Sequence, residues 1–342
     1  MAQSTSASPP KSHCFLGLLA AGLWLACGSH GQQAEVDGRA LNIEATPISL
    51  HTDPSVDRVG QLRFHGGFVL QSADTDFGGF SGLTVDPRGE VLMAVSDRGH
   101  WLHAKVHKDS EGKLLGLQDA RIGPLLDLDG SPVEGQHRRD AEEILDLPEG
   151  YLVTFEQNHR AFYYEAQGGA PPKGLPQALA HPEQVAEGHD NQGMEAATRL
   201  QDGRLLILAE DLRHETDDLV GWVGHPDEGW QPLTLAPTED LQPTGATTLP
   251  SGDVLLLERS YVKGRGNVLR ISRLPQESIA PGQRLLSEEL AVLRPPFTVD
   301  NLEAIAAHAG PEGEIYVDLL SDDNFSDRQR TLWLRFRWEP GP

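Results

Sequence analysis

The chain of 342 residues carries 51 Asp and Glu against 28 Lys and Arg, a formal charge of −23 at pH 7. Such a surface repels nucleic acid and anionic lipid, so neither is expected as a partner; it suits metal cations or plain solvation. The length allows a large core in one or two domains, and no linker or low-complexity stretch divides residues 40–338, so one domain is expected there.

Taken in chain order, residues 1–34 read as an export signal. Lys11 and His13 precede the apolar stretch Cys14–Ala26, too short and too early for a good transmembrane span. No twin arginine precedes it, which points to the general export route. The two cysteines of the chain, Cys14 and Cys27, both fall in or beside this segment, so the mature protein is expected to hold no intramolecular disulfide. Cys27, in Trp24-Leu-Ala-Cys-Gly28, is similar to the lipobox of bacterial lipoproteins and is a candidate lipidation site, although Trp24 stands where Leu is usual. The alternative is an ordinary cut near Gly31 or Ala34. Membrane attachment is expected through such an anchor alone, and the location is the periplasm, the outer membrane or outside the cell.

An N-terminal segment, residues 35–57, leads into a repeat domain at 58–338. Strand-like runs at Leu41–Leu50 and Gly60–Leu70 come first. Then one pattern recurs: a small or acidic residue, a short apolar run, a turn on Gly, a second apolar run, an acid. The copies begin at Ser81, Ala141, Met194, Thr244 and Leu302, and their second runs end at Asp97, Glu156, Glu210, Glu258 and Asp318. Further short strands lie between them, and Gly and Pro are abundant. No helix-period segment exceeds two turns, and Leu175–Ala186 and Ser287–Leu293 read as loops or short helices at most.

A hairpin returning every ~50–60 residues marks a radial repeat, so the fold class is all-β and the architecture a β-propeller. Five hairpins are explicit, and the spare length at the N-terminus and in Val262–Phe297 suggests a sixth blade. The ring is expected to close by pairing Gly60–Leu70 with the final alternating strand Thr331–Trp338, read as an edge-facing blade strand. In each hairpin the start of the first strand and the end of the second share one end, so the bracketing acids should gather on one face of the disc.

Two sets of side chains follow. At the head of the first strands stand Glu142 with Asp140, Glu195 with Asn191, and Glu303 with Asn301 and Asp300; Gly82 and Gly245 take the matching place in the other copies. Converging oxygen ligands of this kind suit Ca²⁺, which takes about six to eight oxygens, while no His-x-Glu or Cys spacing suggests zinc. The alternative is that these acids bond backbone amides of neighbouring blades. After the second strands come Asp97-Arg98, Glu156 to Arg160, Glu210 to Arg213, Glu258-Arg259, and Asp322-Asp323. Arg98, Arg160, Arg213 and Arg259 can bind a carboxylate or phosphate with two prongs, or each can simply neutralise its neighbouring acid. His137, His159, His189 and His214 are loop candidates for proton transfer, with solvated surface residues as the alternative. No nucleophile elbow, phosphate-binding loop or dinucleotide fingerprint is present.

Phe77-Gly-Gly-Phe-Ser-Gly-Leu83, Ser96-Asp-Arg-Gly99, Asp140-Ala-Glu-Glu143 with Phe155-Glu156, Asn191-Gln-Gly-Met-Glu195, and Asn301-Leu-Glu303 with Ser321-Asp-Asp-Asn-Phe325 resemble the bacterial phytase-like family, esterase-like proteins of the phytase family. The resemblance spans roughly residues 58–338 in matching order. It implies a distant similarity to calcium-dependent β-propeller phytases, in which clustered acids hold Ca²⁺ and cations bind phosphate. Asp97, Glu142, Glu156, Glu195, Glu303, Asp322 and Asp323 would then serve as metal ligands, and Arg98, Arg139, Arg160 and Arg259 would bind the substrate. Gly245 removes one possible ligand. Three functions remain open at this point: a calcium-dependent phosphoesterase acting on a small molecule, a carboxylester or lactone hydrolase with one Ca²⁺ and His137 or His159 as base, and a non-catalytic binding propeller.

Overall fold

A computed structural model describes residues 37–110, 112–135, 137–187, 193–264 and 266–340. The stretch read as an export signal, with Cys27, therefore lies outside the described residues, as do His189 and Asn191. Four strands precede the repeats: β1 (Arg39–Ala40), β2 (Glu44–Pro47), β3 (Arg58–Val59) and β4 (Leu62–Gln71). Blade 1 is built from β5 (Phe80–Val85), β6 (Val91–Ser96), β7 (His100–Lys108) and β8 (Leu114–Pro124); blade 2 from β9 (Ala141–Leu147), β10 (Gly150–Phe155), β11 (Arg160–Glu165) and β12 (Lys173–Leu179). Blade 3 takes β13 (Ala196–Arg199), β14 (Leu205–Arg213), β15 (Leu219–His225) and β16 (Gly229–Leu235). Blade 4 opens with β17 (Gln242–Thr248), β18 (Val254–Val262) and β19 (Gly266–Leu274); the chain then visits blade 3 as β20 (Arg284–Leu285) and returns as β21 (Glu288–Leu293). Blade 5 holds β22 (Leu302–Ala309), β23 (Ile315–Ser321) and β24 (Thr331–Trp338).

The described residues thus form five sheets, and the propeller has five blades instead of the six expected from length. The spare residues add no blade. They widen existing ones: β1 lies outside β8, β20 pairs in parallel with β16, and β2 lies outside β4. Ring closure follows the expected pairing, with Leu62–Leu70 antiparallel to Thr331–Trp338. Two local expectations are corrected. Lys173–Leu179 and Glu288–Leu293 are strands, because each supplies the outer partner its blade would otherwise lack. β24, read as an edge-facing strand, is interior to its sheet, because β4 and β2 lie outside it; its Arg335 is buried and pairs with Asp318 at 2.7 Å.

The core lies between blades, where the faces of neighbouring sheets pack. Phe80, Leu92, Leu102, Ile122 and Trp333 join blades 1 and 5, while Leu255, Leu257, Ile271, Leu319 and Phe336 join blades 4 and 5. The innermost strands β5, β9, β13, β17 and β22 touch in a closed ring around the axis. This ring positions everything that follows.

Candidate functional site

Four of the five innermost strands carry a β-bulge at the head, on the face where the acids collect. In β5, Phe80 faces Ser96 and Gly82 faces Val95, leaving Ser81 as the extra residue. In β17 the extra residue is Thr244, and in β22 it is Glu303. In β9, Ala141 faces Phe155 and Ile144 faces Val153, so Glu142 and Glu143 together oppose Thr154. A bulge bends the strand and re-aims its side chains, which is how neighbours in sequence come to point at the axis.

The two glycines that replace acids in this tier have a steric cause. A Cβ on Gly82 would lie 2.7 Å from the Ile144 amide nitrogen, and one on Gly245 would lie 2.6 Å from the Glu303 carbonyl oxygen. The backbones of blades 1 and 2, and of blades 4 and 5, come too close there for any side chain. Acids therefore sit on blades 2, 3 and 5.

A second tier stands where the outgoing strands end. Asp97 N–H donates to Gly79 O at 2.9 Å, Glu156 N–H to Asp140 O at 2.8 Å, and Asp322 N–H to Asn301 O at 2.9 Å, one bond repeated in three blades. In blade 4, Glu258 faces Pro243 as Phe155 faces Ala141, so the equivalent residue is Arg259. The sequence pattern groups Glu258 with these acids. Instead it turns into its blade, where it is 1% exposed and accepts from Arg270 and from Ser272 Oγ at 3.0 Å. Arg259 enters the mouth in its place and meets Glu303 at 2.9 Å. The second tier is thus Asp97, Glu156, Glu210, Arg259 and Asp322.

Asp140, Glu142 and Glu156 bring carboxylate oxygens within 4.8 Å of one another, the spacing of a metal-ligand set. Glu195 shares a hydrogen bond with Glu156. Asn301 Nδ2 donates to Glu303 at 3.0 Å and to Asp322 at 3.3 Å, tying the two tiers on blade 5. Crowding shows in the proton affinities. Burial, reinforced by Asp322 and Asp140, raises Asp97 to about 7 against Arg98 and Arg139. Burial and then Glu303 raise Asp322 to about 8. Burial lifts Glu303 to about 7 despite Arg259, and burial with Glu156 does the same for Glu210. Glu142 and Glu195 are driven well above the ordinary glutamate value by burial and by the surrounding carboxylates.

The other sequence candidates are placed less centrally. Arg98 lies over the Phe325 ring, 3.2 Å from its centroid. Arg160 lies over Phe155 at 4.1 Å and donates to the carbonyls of Asn158 and Arg138, so it is spent on the wall. Asp323 accepts from the N–H of Gly79 and of Phe325, both at 3.0 Å, and from Thr331 Oγ1 at 2.8 Å, an anchoring role that competes with ligation. His137 is exposed, and its Nδ1 lies 2.5 Å from Gln157 Oε1; Gln157 in turn donates to Asp140. His159 lies against Gly193, close to Glu156. Sequence reasoning assigned no role to Glu143 or Thr154. The doubled acid of Glu142-Glu143 was a signal, but only the bulge shows that both residues turn inward.

The donor set fits a hard divalent cation. It is made of carboxylate and amide oxygens, it lies in a zone of mutual repulsion that a cation would relieve, and Asp97 Oδ1 is buried without a hydrogen-bond partner. The fold and this geometry define a five-bladed propeller with an acid-lined cup at one end of its axis.

Residues 75–325 match the phytase-like family, described as esterase-like activity of phytase, and the chain belongs to that family. No curated protein matches it. Among solved structures it is similar to the PQQ-bound aldose sugar dehydrogenase of Streptomyces coelicolor, at 12% identity over 79% of this chain and 98% of that one, with a TM-score of 0.40. It is also similar to glutaminyl cyclase of Myxococcus xanthus, at 10% identity over 82% and 96%, TM-score 0.40. The Cps50 (Swd1) β-propeller domain of Myceliophteria thermophila is similar at 9% identity over 86% and 99%, TM-score 0.39.

Proposed function

We propose that this propeller is an exported, calcium-dependent phosphoesterase acting on small molecules at the acid-lined cup. The observation that carries the reading is the two-tier set of carboxylates with one arginine, Arg259, set into it at 2.9 Å from Glu303. Asp140, Glu142 and Glu156 would hold the cation, with Glu195, Glu303, Asp97 and Asp322 completing the oxygen supply. Bound Ca²⁺ supplies a Lewis acid for a phosphoryl oxygen and lowers the pKa of a water. Arg259 orients the anionic substrate and offsets the charge that develops on its oxygens. Glu210, the second-tier carboxylate that is not among these ligands, would accept the proton of the attacking water. Asn301 keeps Glu303 and Asp322 in register while this happens.

A second reading, carboxylester or lactone hydrolysis, draws support from Arg98 and Arg160 being engaged with aromatic rings, which leaves few cations for phosphate. One assay separates the two. Mature protein is stripped with chelator, titrated with Ca²⁺, and given p-nitrophenyl phosphate or p-nitrophenyl acetate. Calcium-dependent phosphate release that is lost in Glu195→Gln and Arg259→Gln supports the first reading. Acetate turnover that survives Arg259→Gln supports the second. No calcium effect on activity or melting sinks both and leaves a binding propeller. Export and anchoring at Cys27 belong to the same proposal; Cys27→Ser should move the protein from the membrane fraction to the soluble one.

A further inference from the structure

Directly beside the cup, Glu143 is 1% exposed and makes bonds of a different kind from its neighbours. Its Oε1 accepts the N–H of Ile144 at 3.0 Å and its Oε2 that of Ala246 at 3.4 Å. The amides of Ala197 and Leu83 also hydrogen-bond to it. These donors lie on β9, β17, β13 and β5, so a single carboxylate collects amides from the innermost strands of four blades. The remainder of the bulge is held by Thr154. Its hydroxyl accepts the Glu143 N–H at 3.1 Å and donates to the Met194 carbonyl, also at 3.1 Å. Met194 immediately precedes Glu195, and Glu142 immediately precedes Glu143. Two acids of the cup are therefore joined, through one buried carboxylate and one buried hydroxyl, to the axis of the propeller.

We propose that Glu143 and Thr154 are positioning residues of the cation site. Glu143 does not ligate the cation. It seats itself on the axis as a shared acceptor of strand amides, draws the four strand heads to a common distance, and so sets where Glu142 points. Thr154 carries that register to Glu195. The inference rests on the cation reading above, since it names what holds that site in shape.

Small carboxylates provide the test, because formate presents the same two acceptor oxygens as the lost side chain. Glu143→Ala is prepared in chelator, melted with and without formate, and titrated with Ca²⁺ by calorimetry. We expect a lowered melting temperature and at least tenfold weaker Ca²⁺ binding, both restored by formate in the same concentration range. The unsubstituted protein and Glu195→Gln should show no formate response. Glu143→Gln should not rescue, because its amide group turns two N–H donors toward backbone donors. Should Glu143→Ala fail to fold, Thr154→Val keeps the shape, removes only the hydroxyl bonds, and is expected to weaken Ca²⁺ binding several-fold. Formate that restores melting while Ca²⁺ affinity never fell would show a merely structural role and overturn the proposal. Unchanged Ca²⁺ affinity in Thr154→Val, or no formate response in a folded Glu143→Ala, would overturn it as well. An unsubstituted protein that binds no Ca²⁺ would instead sink the cation reading, and this inference with it.

Discussion

The Arg259 guanidinium stands 2.9 Å from the Glu303 carboxylate, reaching from the end of one blade's second strand to the head of the next blade's first. It occupies the place where the other blades present acids, and it is a cation within a ring of anions.

Arg259 should therefore have opposite effects on the two ligands of the cup. Arg259→Gln frees Glu303 and removes a positive charge, so Ca²⁺ binding should tighten by about tenfold, or ~1.4 kcal/mol. Phosphoester turnover should fall by about a hundredfold or more, as when a charge-stabilising donor is lost. Calorimetry and initial rates on the same preparation check both.

The metal-free fold should lose stability as pH rises. Asp97, Glu210 and Glu303 are held at about 7 and Asp322 at about 8, above the values of an unfolded chain, so the folded state binds more protons between roughly pH 4 and 8. Stability falls where the native state is the more protonated, and the penalty is complete above about pH 8. Melting temperature in chelator should drop from pH 5 to pH 8, and saturating Ca²⁺ should flatten the profile. Proton release on Ca²⁺ binding, read from calorimetry in buffers of different ionisation enthalpy, should be largest near pH 6.

Asp318 gives the reverse sign. It is fully buried, and although burial opposes its charge, Arg335 and His308 outweigh that and hold its carboxyl at about 2, below the ordinary 3.8. Its contribution is present above about pH 4 and is lost as pH falls through 2. Asp318 also accepts from Trp333 Nε1 at 2.8 Å and from Arg335 Nε at 2.7 Å. Asp318→Asn should cost about 3–5 kcal/mol in a denaturant melt, because it leaves Arg335 buried and unpaired.

Gly82→Ala should destabilise despite adding a single methyl group. The new carbon would press on the Ile144 amide at 2.7 Å, and a backbone cannot swing away as a flexible side chain can. Overpacking of this kind costs about 1–3 kcal/mol. The displaced strand head carries Glu142, so weaker Ca²⁺ binding should accompany the lower denaturation midpoint.

The hairpins, the all-β class and the closing strands could be read from the chain because apolar runs, Gly turns and terminal alternation are local signals. Most of the acids could be placed on one face because strand direction decides it, but Asp318, taken as a bracketing acid, lies inside β23 and pairs with Arg335, and Asp322 holds the strand end. Blade number could not be derived from length, since Arg39–Ala40, Glu44–Pro47 and Arg284–Leu285 thicken existing sheets without starting new ones. The bulges were invisible for a related reason: an extra residue at a strand head leaves the apolar pattern behind it unchanged. That hid the inward turn of Glu143 and the one-residue offset that exchanges Glu258 for Arg259. Gly82 and Gly245 looked like missing ligands, whereas they are places where two backbones nearly touch.

The pairing of β4 with β24 makes the ring's last seam a partnership between distant parts of the chain: Trp338 Nε1 donates to Gln61 Oε1 across 277 residues. Until that seam forms, β24 presents an unpaired edge, the kind of surface that recruits other strands. Contacts so far apart in sequence also form slowly. The interval between synthesis and closure would be the chain's most vulnerable period. A helper that shields strand edges during that interval would matter more to yield than one that strengthens the finished ring.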